Sequence, residues 1–273
     1  MLHKNIVCYA LFSFALLILG CAMPAAAQEL DCTFTYTSAA GKPSLKFCVS
    51  ASGTLIDVEV PIGDEFIAQG NISTAGKLEG WEGYGLCNES PAQAYTNYIN
   101  DYSVSSNWNP PTVLSQTATS IKIAHSTSDG VWTLTQTFLA DTVTPGVKIM
   151  MALHNNTSTA RVAYLFRQAK VAKFPQVSST HSRVFGWVQS TPVENFGDGV
   201  IIENVGTPQF GFMNAYVYET GHVFPPNPCD FANGASNSVL LNGDSLGDVG
   251  IAYVDSIGPH KTKTATIRYR SMN

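Results

Sequence analysis

Val131-Trp132-Thr133-Leu134-Thr135-Gln136-Thr137-Phe138-Leu139 is the stretch on which the fold turns. Bulky side chains at 132, 134, 136 and 138 alternate with threonines at 133, 135 and 137. A period of two sends successive side chains to opposite faces of a strand, and threonine and aromatic residues suit that pleated surface. The neighbouring sequence repeats the pattern. Ile121, Ile123 and His125 share one strand face ahead of it. Val147, Ile149, Met151 and Leu153 form the next set after a Thr144-Pro145-Gly146 turn, and Val162, Tyr164 and Phe166 follow Asn155-Asn156-Thr157-Ser158. Such runs, joined by short loops, predict consecutive antiparallel strands. Further strand-like runs lie at 183–188, 200–203, 238–241, 249–254 and 264–270. Only Ala92 to Ile99 has the spacing for a turn or two of helix. A dozen or more strands without crossover helices imply two packed antiparallel sheets. The expectation is an all-β chain with very little helix, folded over residues 28–273 as a single β-sandwich, with the long-stranded supersandwich as its larger variant.

The first 27 residues carry a different pattern. Lys4 precedes an apolar run at 10–19, and Ala25-Ala26-Ala27 stands before Gln28 in the small-x-small form that a signal peptidase cuts. The run is about half of what a bilayer-spanning helix needs, so it predicts a signal peptide rather than an anchor. A second processing route is written in Ile18-Leu19-Gly20-Cys21, which resembles a bacterial lipoprotein box with Cys21 as the lipidated residue. Export to the periplasm or the cell exterior is expected, with an outer-membrane lipoprotein as the alternative. Membrane association follows only if Cys21 is acylated.

Composition agrees with export. Charged residues make up 13% of the 273, so Ser, Thr, Asn and Gln must supply the polar surface, while 45% hydrophobic content argues against disorder. The net charge of −5 and scattered signs leave no basic stripe for nucleic acid. Lys261, Lys263, Arg268 and Arg270 form the one basic cluster, and their alternation with Ala265, Ile267 and Tyr269 reads as the wet face of a strand. Beyond the signal, four cysteines remain: Cys32, Cys48, Cys87 and Cys229. An even set in an oxidising compartment predicts two disulfides. Cys32 and Cys48 flank a turn-like segment between strand-like runs and pair with each other, which leaves Cys87 for Cys229. No CxxC pair occurs, so no metal site is predicted, and no cofactor motif is present.

Three constellations suggest chemistry. Gly243-Asp244-Ser245-Leu246 reproduces the signature of the GDSL esterases, but the residues after it read as two strands, and Asp255 and His260 are five apart where the resembling enzymes have three. A polar hairpin turn explains it better. His125, His154, His181, His222 and His260 are scattered, and Asn242, Asp244 and Asp248 do not meet the calcium-loop pattern. The third constellation is Glu79-Gly80-Trp81-Glu82-Gly83-Tyr84-Gly85-Leu86-Cys87, followed by Tyr95, Tyr98, Tyr102 and Trp108. Rings that stack on sugar faces beside carboxylates that bind hydroxyls make Trp81, Glu82, Tyr84 and Trp108 the candidate ligand-binding residues. The competing reading makes Trp81 and Tyr84 core aromatics around the Cys87 bridge. Glu79 and Glu82, three apart on a strand, face opposite sides and do not form an acid–base pair.

Glu82-Gly83-Tyr84-Gly85-Leu86-Cys87, Ser106-Asn107-Trp108-Asn109-Pro110-Pro111 and Leu165-Phe166-Arg167-Gln168-Ala169 stand in order, with Gly258-Pro259-His260 and Ile267-Arg268-Tyr269-Arg270 closing the chain. In these motifs the chain resembles a group of exported bacterial β proteins without an assigned reaction. A looser similarity, in strand length and the Leu153-His154-Asn155 turn, is to supersandwich carbohydrate-active proteins. No nucleophile–base–orienter set can be assembled, so no catalytic residue is assigned. The leading expectation is a non-enzymatic exported domain that binds a glycan or a cell-envelope component. One alternative is a lyase, epimerase or glycosidase using His154 or His181 with Glu82 or Glu203; another is a structural or adhesion module.

Overall fold

The computed structural model describes residues 32–38, 45–59, 65–68, 81–99, 104–143, 145–170, 175–180, 183–188, 199–205, 211–219, 227–229 and 247–271. Residues 1–31 with Cys21, the run at 238–241 and the stretch at 243–246 lie outside them, as do Glu79, Tyr102, His181, His222 and Asn242. The alternation read from the sequence is realised as three antiparallel sheets. Four strands form the first, in the order β1 (Phe34–Ser38), β2 (Leu45–Val49), β3 (Leu55–Glu59) and β4 (Glu65–Ala68). A six-stranded sheet runs β16 (Phe212–Glu219), β17 (Gly247–Ile257), β12 (Arg161–Lys170), β5 (Trp81–Asn88), β6 (Gln93–Ile99) and β7 (Val104–Ser106). The eight-stranded sheet runs β13 (Pro175–Thr180), β14 (Arg183–Val188), β15 (Gly199–Asn204), β18 (Thr262–Ser271), β11 (Gly146–Asn155), β10 (Trp132–Ala140), β9 (Ser120–Ser126) and β8 (Thr112–Gln116).

The six- and eight-stranded sheets face each other across one apolar core. Ile121 and Ile123, Trp132, Leu134 and Phe138, Val147, Ile149, Met151 and Leu153, and Ala265, Ile267 and Tyr269 all point into it. These are the alternate positions that the sequence marks on β9, β10, β11 and β18. Phe47, Val49, Leu55 and Val58 of the small sheet join the same core. Two sheets stacked face to face bury one side of every strand, which is why a period of two survives so clearly here.

One expectation needs correction. Residues 93–99 form β6, not a helix. Tyr95 and Tyr98 mimic helical spacing, but both are buried because this strand is covered on both faces. On β12 the inward face is the less apolar of the two. Ala163, Leu165 and Ala169 enter the main core together with the buried Arg167, whereas Val162 and Tyr164 are only half-buried on the other side. A charge and two small residues disguise the inward face, and the more apolar set lies opposite it, where Phe166 is also buried against Tyr98.

Both disulfides join the expected partners. Cys32–Cys48 ties the chain ahead of β1 to β2, and Cys87–Cys229 ties β5 to the segment at 227–229. The second spans 142 residues of sequence, and closing so long a loop restricts the unfolded chain more than closing 16 does. Such bridges suit an oxidising location, extracellular or periplasmic. Among the described residues, no helix is long and apolar enough to cross a membrane.

Candidate functional site

Strand β5 reads Glu82-Gly83-Tyr84-Gly85-Leu86-Cys87, and its pleat sends Glu82, Tyr84 and Leu86 inward. The glycines between them permit close approach on the other face. A Cβ at Gly85 would lie 2.4 Å from Phe166 Cζ, and one at Gly83 2.3 Å from Tyr98 Cδ1, so the two rings rest against bare backbone.

Inward, Glu82 meets Arg167 of β12 on the neighbouring ladder, and both side chains are fully buried. Glu82 Oε1 accepts from Arg167 Nε and, at 2.8 Å, from the Tyr269 hydroxyl of β18. Its Oε2 accepts from Arg167 Nη2 at 2.9 Å and from the Leu55 amide at 2.7 Å. Two further guanidinium donors reach Gln136 Oε1 of β10 at 2.6 Å, from Nη1, and the Gly53 carbonyl at 3.3 Å, from Nη2. The rings of Phe138 and Tyr84 lie 5.2 and 6.0 Å from the guanidinium carbon. One cluster thus bonds all three sheets together. The β2–β3 turn completes it from the small sheet, and Gly53 holds that turn with φ of +81°, where a Cβ would stand 2.6 Å from Gln136 Nε2.

Burial pushes the Glu82 carboxyl up, opposed by the positive charge of Arg167 and by the hydrogen bonds from Leu55, Arg167 and Tyr269. Burial opposes the charge on Arg167 in turn, but the carboxylate beside it holds its pKa above the ordinary value. A buried ion pair needs partners for its polar atoms, and every nitrogen and oxygen of this one has a partner, whereas Gln136 Nε2 beside it has none among the described residues. Acid–base catalysis needs a proton that can be exchanged with a substrate. Glu82 has four donors on its two oxygens and no surface, so it acts as a structural carboxylate.

An aromatic group continues from Tyr84. Its hydroxyl donates to the Ser52 carbonyl at 2.9 Å and lies 2.7 Å from His125 Nδ1. Burial lowers the pKa of His125 to about 4, against a smaller opposing effect of a main-chain hydrogen bond at Asn109. Trp108 stacks on the imidazole at 4.7 Å and 25°, and meets Tyr84 edge-on at 5.7 Å. Tyr95 lies 5.9 Å from Trp108 and donates to Asp129 Oδ2 at 2.6 Å.

The four predicted ligand residues therefore take different places. Glu82 and Tyr84 are fully buried, Trp108 is half-buried at the loop before β8, and Trp81 opens β5 opposite Lys170. Tyr84 is a core aromatic on the strand face opposite Cys87. His154 and Glu203 share the outer face of the eight-stranded sheet but do not converge. His154 sits opposite Thr262 and Glu203 opposite Arg268, six residues along β18, or about 20 Å at the rise of a strand. Asp255 pairs with Lys263, while His260 occupies the turn after β17 with φ of +53°. Among the described residues, no three His, Cys, Asp or Glu side chains gather as metal ligands. Arg167 was missed as a site residue. Its signal was an uncompensated cation inside Val162–Ala169, a run with no other charge, which demands a buried carboxylate from elsewhere.

No protein-family model matches the chain, and no curated protein matches it. Solved structures do. A bacterial glucoamylase complexed with acarbose superposes with a TM-score of 0.51 at 8% identity, over 87% of this chain and 35% of that one. A candidate aldose 1-epimerase from Escherichia coli K12 gives 0.47 at 9% identity, over 87% and 98%. Heparan sulfate lyase HepC from Pedobacter heparinus gives 0.45 at 10%, over 87% and 34%. This chain spans about a third of the glucoamylase and lyase chains. What is shared is the fold. At such identity the glucoamylase match establishes architecture without chemistry.

Proposed function

We propose that this chain is an exported, non-catalytic domain that binds a glycan, free or within the cell envelope. The observation that carries the proposal is the sealed state of Glu82: the carboxylate set among the aromatics is fully buried and bonded to Arg167, Tyr269 and Leu55. The carbohydrate-active architecture and the two disulfides support the remaining parts, ligand class and compartment. A second reading, a carbohydrate-active enzyme, draws on the glucoamylase-like fold and requires reactive groups other than the Glu82–Arg167 pair.

Glycan-array binding followed by incubation of each bound glycan tests the two together. Binding without new reducing ends or unsaturated products is expected. Turnover that follows the protein through purification would replace this proposal with the enzyme reading, and retention of no glycan would end both binding and catalysis on sugars.

A further inference from the structure

The outer face of the eight-stranded sheet carries a pattern that only the register reveals. The rows across β18, β11, β10 and β9 are Thr262–His154–Thr133–Ser126, then Thr264–Ala152–Thr135–Ala124, then Thr266–Met150–Thr137–Lys122. The next row places Arg268 beside Lys148, with Glu203 of β15 on the far side of the arginine. Unlike the inner face, these side chains are half-exposed or exposed. The hydroxyls of Thr135, Thr137, Thr264 and Thr266 make no hydrogen bond with the described residues, whereas Thr133 bonds Ser126 at 3.0 Å and Thr262 bonds His154 at 2.9 Å.

Charge on this face runs against the rest of the molecule. Lys122, Lys148, Arg268 and Arg270 share it with Glu203, on a chain whose net charge is −5. Glu203 Oε1 accepts from Arg268 Nε at 2.7 Å and from Arg270 Nε at 3.1 Å. Lys122 and Lys148 form no ion pair among the described residues. Glu203 compensates Arg268, but Lys148, directly opposite on β11, and Lys122 have no counter-charge among the described residues, so an anion over this face would be held favourably.

We infer that this face binds a linear carboxylated polysaccharide, with the cations taking its carboxylates and the threonine rows its hydroxyls. The inference deepens the glycan-binding reading and rests on it. The rows extend about 20 Å along the strands and about 14 Å across four of them, room for several sugar rings. A second copy of the chain is a poor occupant, because two such faces would oppose cation to cation. Nucleic acid would need bases to stack on exposed rings, and these rows hold none.

Isothermal titration of the full exported chain with polygalacturonate, neutral galactan and polyuridylate tests the inference. Wild-type protein is compared with Lys122→Gln/Lys148→Gln and with Thr135→Val/Thr264→Val, whose folds are checked by circular dichroism. The expected result is binding of polygalacturonate that weakens at least tenfold in the lysine variant, weakens in the valine variant, and falls with added salt. Equal affinity for polyuridylate, binding of galactan alone, or polygalacturonate binding untouched by both variants would overturn the inference and leave the glycan-binding reading standing or open to another face. Retention of no glycan, here or on the array, would overturn both.

Discussion

Two arginine–glutamate clusters in this molecule use the same chemistry to different ends. Glu82 and Arg167 are sealed between the sheets, and every donor and acceptor around them comes from the chain itself. Glu203, Arg268 and Arg270 stand on the outer face of the eight-stranded sheet and remain partly exposed. In low dielectric an unpaired charge is very costly, so removing one member of the first cluster strands the other. Near water, the second cluster is screened and replaceable. Burial, rather than residue type, separates a charge that specifies the fold from one that is available to a partner.

The sharpest break of that contrast is Arg167→Met. It leaves Glu82 buried without its cation and should cost about 3–5 kcal/mol, read from the urea midpoint. Glu82→Gln combined with Arg167→Met should recover much of the loss, since the stranded charge is gone. A loss below about 1 kcal/mol in the single variant would show that the buried pair is not structural.

His125 extends the sealed region and supplies a pH signature. Its folded pKa near 4 lies below the ordinary histidine value, so the unfolded chain takes up the proton first. The stability it contributes is full above about pH 6.5 and is lost as pH falls toward 4, by about 3 kcal/mol in all. Urea titrations of wild type and His125→Asn between pH 7 and 4 should therefore converge as pH drops; parallel curves would place the acid sensitivity elsewhere.

Gly53→Ala strikes the turn that caps Arg167. A side chain at φ of +81° and 2.6 Å from Gln136 Nε2 should destabilise by about 1–3 kcal/mol, and thermal unfolding would show it. On the open face, Glu203→Gln should change stability by less than about 1 kcal/mol, and less again in high salt. A larger effect would mean that the outer cluster also holds the fold.

How much of this was legible follows from the same contrast. Period-two alternation survives wherever one strand face is buried and the other is wet, so β9, β10, β11 and β18 could be read directly. Strands covered on both faces lose that alternation. On β6 the pair Tyr95 and Tyr98 looked helical, and on β12 Arg167 concealed the inward face. The disulfide partners were within reach because one pair flanked a turn-like run of sequence between two strand-like ones. The candidate site was legible as a motif but not as a place: Trp81, Glu82, Tyr84 and Trp108 are near in sequence pattern, yet Glu82 has its essential partner 85 residues away. The basic outer face was half visible. Arg268 and Arg270 announced it, but Lys148 joins Arg268 only through β11–β18 register, which no local pattern encodes.

Neighbouring methionines offer the most direct test. Met150 lies on the outer face of β11 and Met151 on the inner one, in contact with the core. Methyl-labelled protein titrated with polygalacturonate should show the Met150 resonance moving to saturation while Met151 stays fixed. Movement of Met151 with Met150 silent, or no movement of either at saturating glycan, would contradict the division between a sealed folding cluster and an open binding face.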